Sequence, residues 1–205
     1  MKYIDLSHDI MSNMPVYPGD MKVSLEHVNE LSKDKYNSYS VSTGMHAGTH
    51  VDCPMHLLPD AKTIAEYPID CFAGSGILID ARGQKEIDFK EAYKTKIREG
   101  DIVLIYTGMD KSYGEDSYYN DHPVITEELA EFLVSKKIRM LGIDMPSPDF
   151  PPFEIHKTLL GNNIFIVENM KNLKQLIGVE SFEVFAQPLK IHAEASLVRA
   201  FARHD

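Results

Sequence analysis

The chain has 205 residues, 43% of them hydrophobic and 25% charged, with a formal net charge of −10 at pH 7. That length fits one domain over residues 1–205 with a sizeable core, and the composition is that of a folded chain rather than a disordered one. The acidic balance, with no basic cluster anywhere, argues against nucleic acid as a partner, because affinity for phosphates comes from Lys and Arg; a small molecule is expected instead.

The opening MKYIDLSHDI carries Asp5, His8 and Asp9 where a secretory signal would be apolar. No later run approaches the ~20 apolar residues of a membrane span, so no membrane partner and a cytoplasmic location are expected. Strand-like runs follow in order at 2–6, 23–28, 39–43, 76–80, 101–107, 139–144, 163–167, 182–186 and 196–201. GILIDA, DIVLIYT and NIFIVEN are near-continuously apolar, which suits strands covered on both faces, with helices as the cover. The clearest helix starts at Thr126, an N-cap residue followed by Glu127 and Glu128, and closes near Lys136 and Lys137. Shorter helices are expected at 62–67, 88–97 and 153–160, the last after Pro151 and Pro152. The class is α/β, a mixed sheet with flanking helices, and 108–124 and 145–152 read as surface loops. Cys53 and Cys71 allow at most one bridge and mark no disulfide framework.

The densest chemistry lies at 46–56, HAGTHVDCPMH. Even positions hold His46, Gly48, His50, Asp52, Pro54 and His56, whereas odd positions hold Ala47, Thr49, Val51, Cys53 and Met55. Imidazole and carboxylate are donors for Zn²⁺ or Mn²⁺, and His46, His50 and Asp52 supply three ligands of a catalytic metal site. In a straight strand His46 and His50 would stand roughly 13 Å apart, too far to share an ion, so the chain has to bend between them. Gly48 is the residue able to take that bend, either as a kink or within one helical turn. A single histidine is most often structural, but three with an aspartate at this density favour metal. Cys53 falls on the apolar parity and reads as a small buried thiol. A second ion would need further donors, for which His156 and Glu168 are the candidates, Glu168 because it ends a buried strand at the edge where open α/β sheets place their sites.

HAGTHVDCPMH resembles H-x-G-T-H-x-D-x-P-x-H, the signature of the cyclase family of metal-dependent hydrolases, the group of bacterial kynurenine formamidase and isatin hydrolase. DLSH near the start, YPGD at 17–20, GIDMPSPD at 142–149, His156 and Glu168 in their spacing, and ASLVRA near the end resemble family landmarks in family order. The resemblance implies a swivelling β/β/α fold, a homo-oligomer (dimer or tetramer), and one or two ions of Zn²⁺ or Mn²⁺. It implies that His46, His50 and Asp52 bind one ion, that Asp52 and Glu168 bridge to a second held by His156, and that His56 is the acid/base. Asp144, Ser147 and Asp149 of GIDMPSPD also match; Asp144 either orients a ligand histidine or caps a loop. The chain departs from the family at Tyr17, where formamidases carry Trp against the aryl part of the substrate, and Tyr can stack on a ring in its place. The expected function is hydrolysis of a non-peptide amide, an aryl formamide of N-formylkynurenine type, by metal-activated water with His56 as proton shuttle. The alternatives are a cyclic amide of isatin type, and a non-catalytic member that binds metal or ligand.

Overall fold

The computed structural model describes residues 1–205. Thirteen strands form: β1 (Lys2–Asp5), β2 (Ser24–Asn29), β3 (Ser38–Ser42), β4 (His50–Asp52), β5 (Ala73–Asp80), β6 (Glu86–Ile87), β7 (Ile102–Tyr106), β8 (Val124–Ile125), β9 (Met140–Ile143), β10 (Phe165–Glu168), β11 (Phe182–Phe185), β12 (Ala195–Leu197) and β13 (Phe201–His204). Nine make one sheet in the order β1-β13-β11-β5-β7-β9-β10-β4-β12. It is parallel from β5 through β10 and antiparallel on either side, so the class is mixed α/β as expected.

The apolar run of β7 shows why its strands are continuous in hydrophobicity. Ile102, Leu104 and Tyr106 enter one core while Val103 and Ile105 enter a second on the opposite face. Helices Glu127–Ser135 and Glu154–Gly161 cover the second core through Leu129, Leu133, Leu159 and Leu160. The first of these helices begins as its sequence dictates, with the Thr126 hydroxyl accepting from Leu129 N at 3.3 Å. The first core is different from expectation, because no long helix covers it. Phe72, Leu173 and Leu176 from single 3-10 turns fill it, together with Ile4, Val184 and Ala202 from the sheet's own outer strands. The short helices expected at 62–67 and 88–97 shrink to one turn each, Ile64–Glu66 and Tyr93–Lys96.

The sheet covers itself because it curls. The strand expected over 196–201 is two strands, β12 against β4 and β13 against β1 and β11, separated by residues 198–200 alone. The last strand of a nine-stranded order and the second can be three residues apart only if the sheet rolls until its ends adjoin. Ser7 closes the seam: Ala200 N donates to its hydroxyl at 2.6 Å, while Leu6 N donates to Ala200 O at 2.9 Å and Val198 N to Thr49 O at 3.1 Å.

β2 and β3 form a separate hairpin whose pairing alternates in character. Leu25 faces Val41 and His27 faces Tyr39, with their rings stacked at 4.5 Å, whereas Ser24 faces Ser42 and Glu26 faces Ser40. The apolar face is uncovered, leaving Tyr39 61% and Val41 58% exposed. No helix is long and apolar enough to cross a membrane. Cys53 and Cys71 are free thiols, and Cys53 is buried in the first core beside Val51, where burial pushes its pKa up to about 11.

Candidate metal centre

The parity of HAGTHVDCPMH becomes geometry at β4, which is buried between β10 and β12. Val51 points into the first core and the alternation sends His50 and Asp52 to the other face. Gly48 adopts φ +63, the left-handed bend that the spacing requires, and a Cβ there would meet Met14 Cε at 2.8 Å. The bend returns His46 against His50, their rings edge to face at 4.9 Å. Beyond Asp52 the strand ends and Pro54 starts a 3-10 turn that carries His56, whose ring lies 4.4 Å from that of His46.

β10 supplies Glu168, directly opposite His50 in the antiparallel register. Its Oε2 stands 3.4 Å from His50 Nε2 and its Oε1 3.1 Å from Nε2 of His156, which lies on the helix Glu154–Gly161. His46 Nδ1 is 3.1 Å and His50 Nε2 3.5 Å from Asp52 Oδ1. The donor atoms fall into two groups, each within 4.8 Å: His46 with Asp52 and His56, and His50 with Asp52 and Glu168. Asp52 belongs to both. All of the metal candidates and His56 are therefore brought together, His56 grouping with His46 and Asp52.

Both Asp52 oxygens and His50 Nε2 are buried without a hydrogen-bond partner, even though His46 and His50 approach Asp52 closely. Leaving a buried carboxylate without donors is costly by several kcal/mol, so this donor set fits a divalent cation. Burial opposes ionisation of Asp52 and Glu168. The charges of His50 and His46 nevertheless hold Asp52 low, and the hydrogen bond from His156 together with the close approach of His50 holds Glu168 low, so both are anionic donors. Burial works against protonation of His156 too, yet Asp149 and Glu168 push it up to about 10, and Asp52 raises His46 to about 9.

The histidine-orienting role falls to Asp149 rather than Asp144. Asp149 Oδ1 lies 2.6 Å from His156 Nδ1 and its Oδ2 accepts from Ile155 N at 2.7 Å, fixing both the ring and the helix start. Asp144 is the loop cap: it accepts from Thr107 N and Oγ1 at 2.8 and 2.7 Å and from Gly108 N at 2.7 Å. Ser147 donates to Asp149 O and so shapes the loop that presents that carboxylate.

Two contributors were not singled out from sequence. Glu194 Oε1 stands 3.4 Å from His46 Nε2, placed there because it precedes Ala195, the register partner of Asp52. Asn169 donates to Gly48 O at 3.1 Å while accepting from the Tyr118 hydroxyl at 2.7 Å, which ties β10 to the bend. An acidic residue one step before the buried ASLVRA strand was the available signal for Glu194.

Above these donors opens a cavity of about 210 Å³. Tyr17, Tyr113, Tyr119 and Phe153 contribute its aromatic walls. Tyr17 reaches it from a tight turn in which Asp20 N donates to Tyr17 O at 2.9 Å, with Pro18 second and Gly19 third at φ +100. That is a type II turn, and it requires a glycine at the third place. Tyr17 meets Tyr119 edge to face at 5.8 Å. A larger hollow of about 700 Å³ near Glu183 and Arg203 contains none of these groups.

Residues 4–150 match the Cyclase family, to which this chain belongs. The kynurenine formamidase of Bacillus mycoides (strain KBAB4) is 31% identical over 214 residues, covering 98% of this chain and 97% of that protein. Isatin hydrolase A from Labrenzia aggregata, solved with benzyl benzoate bound, superposes with a TM-score of 0.86 at 25% identity over 98% of this chain and 93% of that one. A structure described as a potential metal-dependent hydrolase with cyclase activity aligns with a TM-score of 0.79 at 25% identity, covering 100% and 99% of the two chains.

Proposed function

We propose that this Cyclase-family chain is a metal-dependent hydrolase of non-peptide C–N bonds whose substrate is an aryl formamide. The observation that carries the reading is the pairing of unpartnered buried donors, His50 Nε2 and both Asp52 oxygens, with an aromatic-walled cavity directly above them. Similarity to a kynurenine formamidase along 98% of the chain supports the formamide.

His46, His50, Asp52, Glu168 and His156 would hold one or two ions, with zinc the first choice for this nitrogen and oxygen donor set and manganese the second. A bound divalent cation supplies Lewis acidity, polarising the amide carbonyl and bringing the pKa of water toward ~7. Asp149 keeps His156 in one ring orientation, and Glu194 does the same for His46 from the solvent side. Tyr17 and Phe153 hold the aryl ring, which limits the poses of the attached amide. His56 stands at the cavity wall with its ring 6.1 Å from that of His156, on a turn rather than in the sheet, and delivers a proton to the departing nitrogen. Burial lowers its pKa, so it is neutral at neutral pH and can take up the proton released by the attacking water before passing it to that nitrogen.

Hydrolysis of formanilides, N-formylkynurenine and isatin by metal-reconstituted protein tests the reading. The expected result is turnover of the first two, and inactivity on all three would overturn it. A cyclic amide is the second reading, supported by the TM-score of 0.86 to an isatin hydrolase, and preferential opening of isatin would establish it.

We also propose that the chain assembles with itself through the β2–β3 hairpin. A two-stranded hairpin is marginal without a packed face. Its apolar face carries no carboxylate, so a chain of net charge −10 can meet its own copy there without like-charge repulsion, in a symmetric like-on-like contact.

A further inference from the structure

The hydroxyl and amide side chains lining the cavity above the donors belong to Tyr17, Tyr113, Tyr119, Ser147 and Asn169. Most are engaged within the protein. Tyr113 donates to Pro15 O at 2.9 Å and has one ring face covered by His8 at 3.9 Å. Ser147 donates to Asp149 O, and Asn169 is held between Gly48 O and the Tyr118 hydroxyl. Tyr17 sits at the exposed rim, where water reaches it. Tyr119 is the exception: it is only 8% exposed, and its hydroxyl is buried with no hydrogen-bond partner.

Tyr118 and Tyr119 are neighbours on the helix Asp116–Asn120, and they divide their tasks. Tyr118 gives its hydroxyl to Asn169 Oδ1 at 2.7 Å. The Tyr119 ring is held edge to face by Tyr118 at 5.2 Å and by Tyr17 at 5.8 Å, which fixes the ring but leaves its O–H without an acceptor. A buried donor left unmade is costly, and folded proteins keep such groups where water or a ligand completes them. The cavity that Tyr119 lines is the space from which an acceptor can come. Burial raises the pKa of this phenol, so it stays protonated and is a neutral donor, to which a carbonyl oxygen is the matching acceptor.

We infer that Tyr119 is a specificity-determining residue whose hydroxyl donates to a ketone oxygen carried on the substrate's ring beside the amide nitrogen. The inference rests on the amide-hydrolase reading and adds the ortho-acyl group to what the cavity recognises. N-formylkynurenine and isatin both satisfy it, since each has a ketone carbon on the ring atom next to the one bearing nitrogen. The volume of about 210 Å³ suits one ring with a short substituent. An ortho carbonyl then stays within the cavity, whereas the charged end of a longer substituent extends to the rim at Tyr17 and keeps its water.

The test uses metal-loaded protein and two formanilides of matched shape, 2-acetylformanilide and 2-isopropylformanilide, with Tyr119→Phe beside the parent chain. The parent-to-variant ratio of kcat/KM is taken for each compound, which cancels the pull of the acetyl group on the leaving nitrogen. The ratio is expected to be about tenfold for the acetyl compound, the scale of one neutral hydrogen bond in a buried site, and to be carried mainly by KM. For the isopropyl compound it should be near one. The released amines, 2-aminoacetophenone and 2-isopropylaniline, serve as calorimetric ligands, so that recognition is read whether or not the formanilides turn over. Stability gives an independent check. Tyr119→Phe removes an unpartnered group and should leave the denaturation midpoint at or above that of the parent, whereas Tyr118→Phe loses the bond to Asn169 and should lower it. Equal parent-to-variant ratios for the acetyl and isopropyl compounds, in rate or in amine affinity, overturn the inference. A Tyr119→Phe midpoint as low as that of Tyr118→Phe also overturns it, by revealing a partner within the protein. Absence of formanilide turnover, with an amine preference that Tyr119→Phe abolishes, overturns the amide-hydrolase reading and leaves the assignment of Tyr119 standing.

Discussion

Asp52 is the single residue on which both donor groups depend, and its two oxygens have no other partner in the chain. Asp52→Ala is therefore expected to abolish metal retention altogether, and His50→Ala to abolish it at the shared position. His204→Ala, at the far strand β13, should leave the content intact. Elemental analysis of the purified variants checks this, and a full complement of metal in both site variants would refute the ligand assignment. His56 separates binding from rate. His56→Ala should keep its metal and lose activity by about 10² to 10⁴-fold, the range of a general acid/base. Because His56 groups with His46 and Asp52, loss of metal in step with activity is the outcome that would reassign it as a ligand. Gly48→Ala should weaken both fold and site. An L-residue in that left-handed conformation costs about 1–2 kcal/mol, and the new Cβ, 2.8 Å from the Met14 methyl, would push that flexible side chain aside. Denaturant unfolding and metal titration of this variant should fall together.

At the level of elements, the hairpin is the piece whose sequence pattern has no complement within the chain. Tyr39→Glu places a charge in the uncovered apolar face, and the expected outcome is a lower oligomeric mass by light scattering with the circular dichroism spectrum preserved. An unchanged mass would place the contact elsewhere. The same elements show what the sequence could reveal. β4 was legible because a period of two sorts His50 and Asp52 from Val51 and Cys53, and the bend at Gly48 followed from the distance between His46 and His50. The strands β5, β7, β9 and β10 were legible because both their faces are apolar. The division of labour between Asp144 and Asp149 was not, since both are acids in one loop and only the register of β9 against β7 delivers Asp144 to the Thr107 and Gly108 amides. The helix expected at 88–97 shrank to Tyr93–Lys96 for a related reason. Its amphipathic pattern needs only Tyr93 and Ile97 buried, and one turn provides that.

For the whole molecule, pH acts through groups away from the metal donors as well as at them. His8 is partly buried, stacked on Tyr113 at 3.9 Å, and burial followed by the charge of Lys171 lowers its pKa from 6.5 to about 4. The unfolded chain then binds a proton at His8 at a pH where the folded chain does not. Stability from this group is full above pH 6.5 and declines as pH falls through the interval down to about 4. His8→Gln should therefore flatten the fall in denaturation midpoint between pH 7 and pH 4.5 relative to the parent chain, the remaining slope belonging to carboxylates. Identical slopes would show that His8 stays solvated.

The rolled sheet has a further consequence at its seam. β1 and β13 are antiparallel neighbours, with Lys2 opposite His204, so residues 1 and 205 lie side by side, and neither β1 nor β13 carries a metal donor. A short Gly/Ser linker joining residue 205 to residue 1, with new ends cut between Lys35 and Tyr36 at the exposed hairpin tip, should give a circular permutant that folds and binds metal like the parent. The order in which the strands are synthesised would change, whereas their pairing would not. If that permutant failed to bind metal, closure of the roll would depend on free ends, and the seam held by Ser7 would be a late, adjustable contact instead of a fixed one.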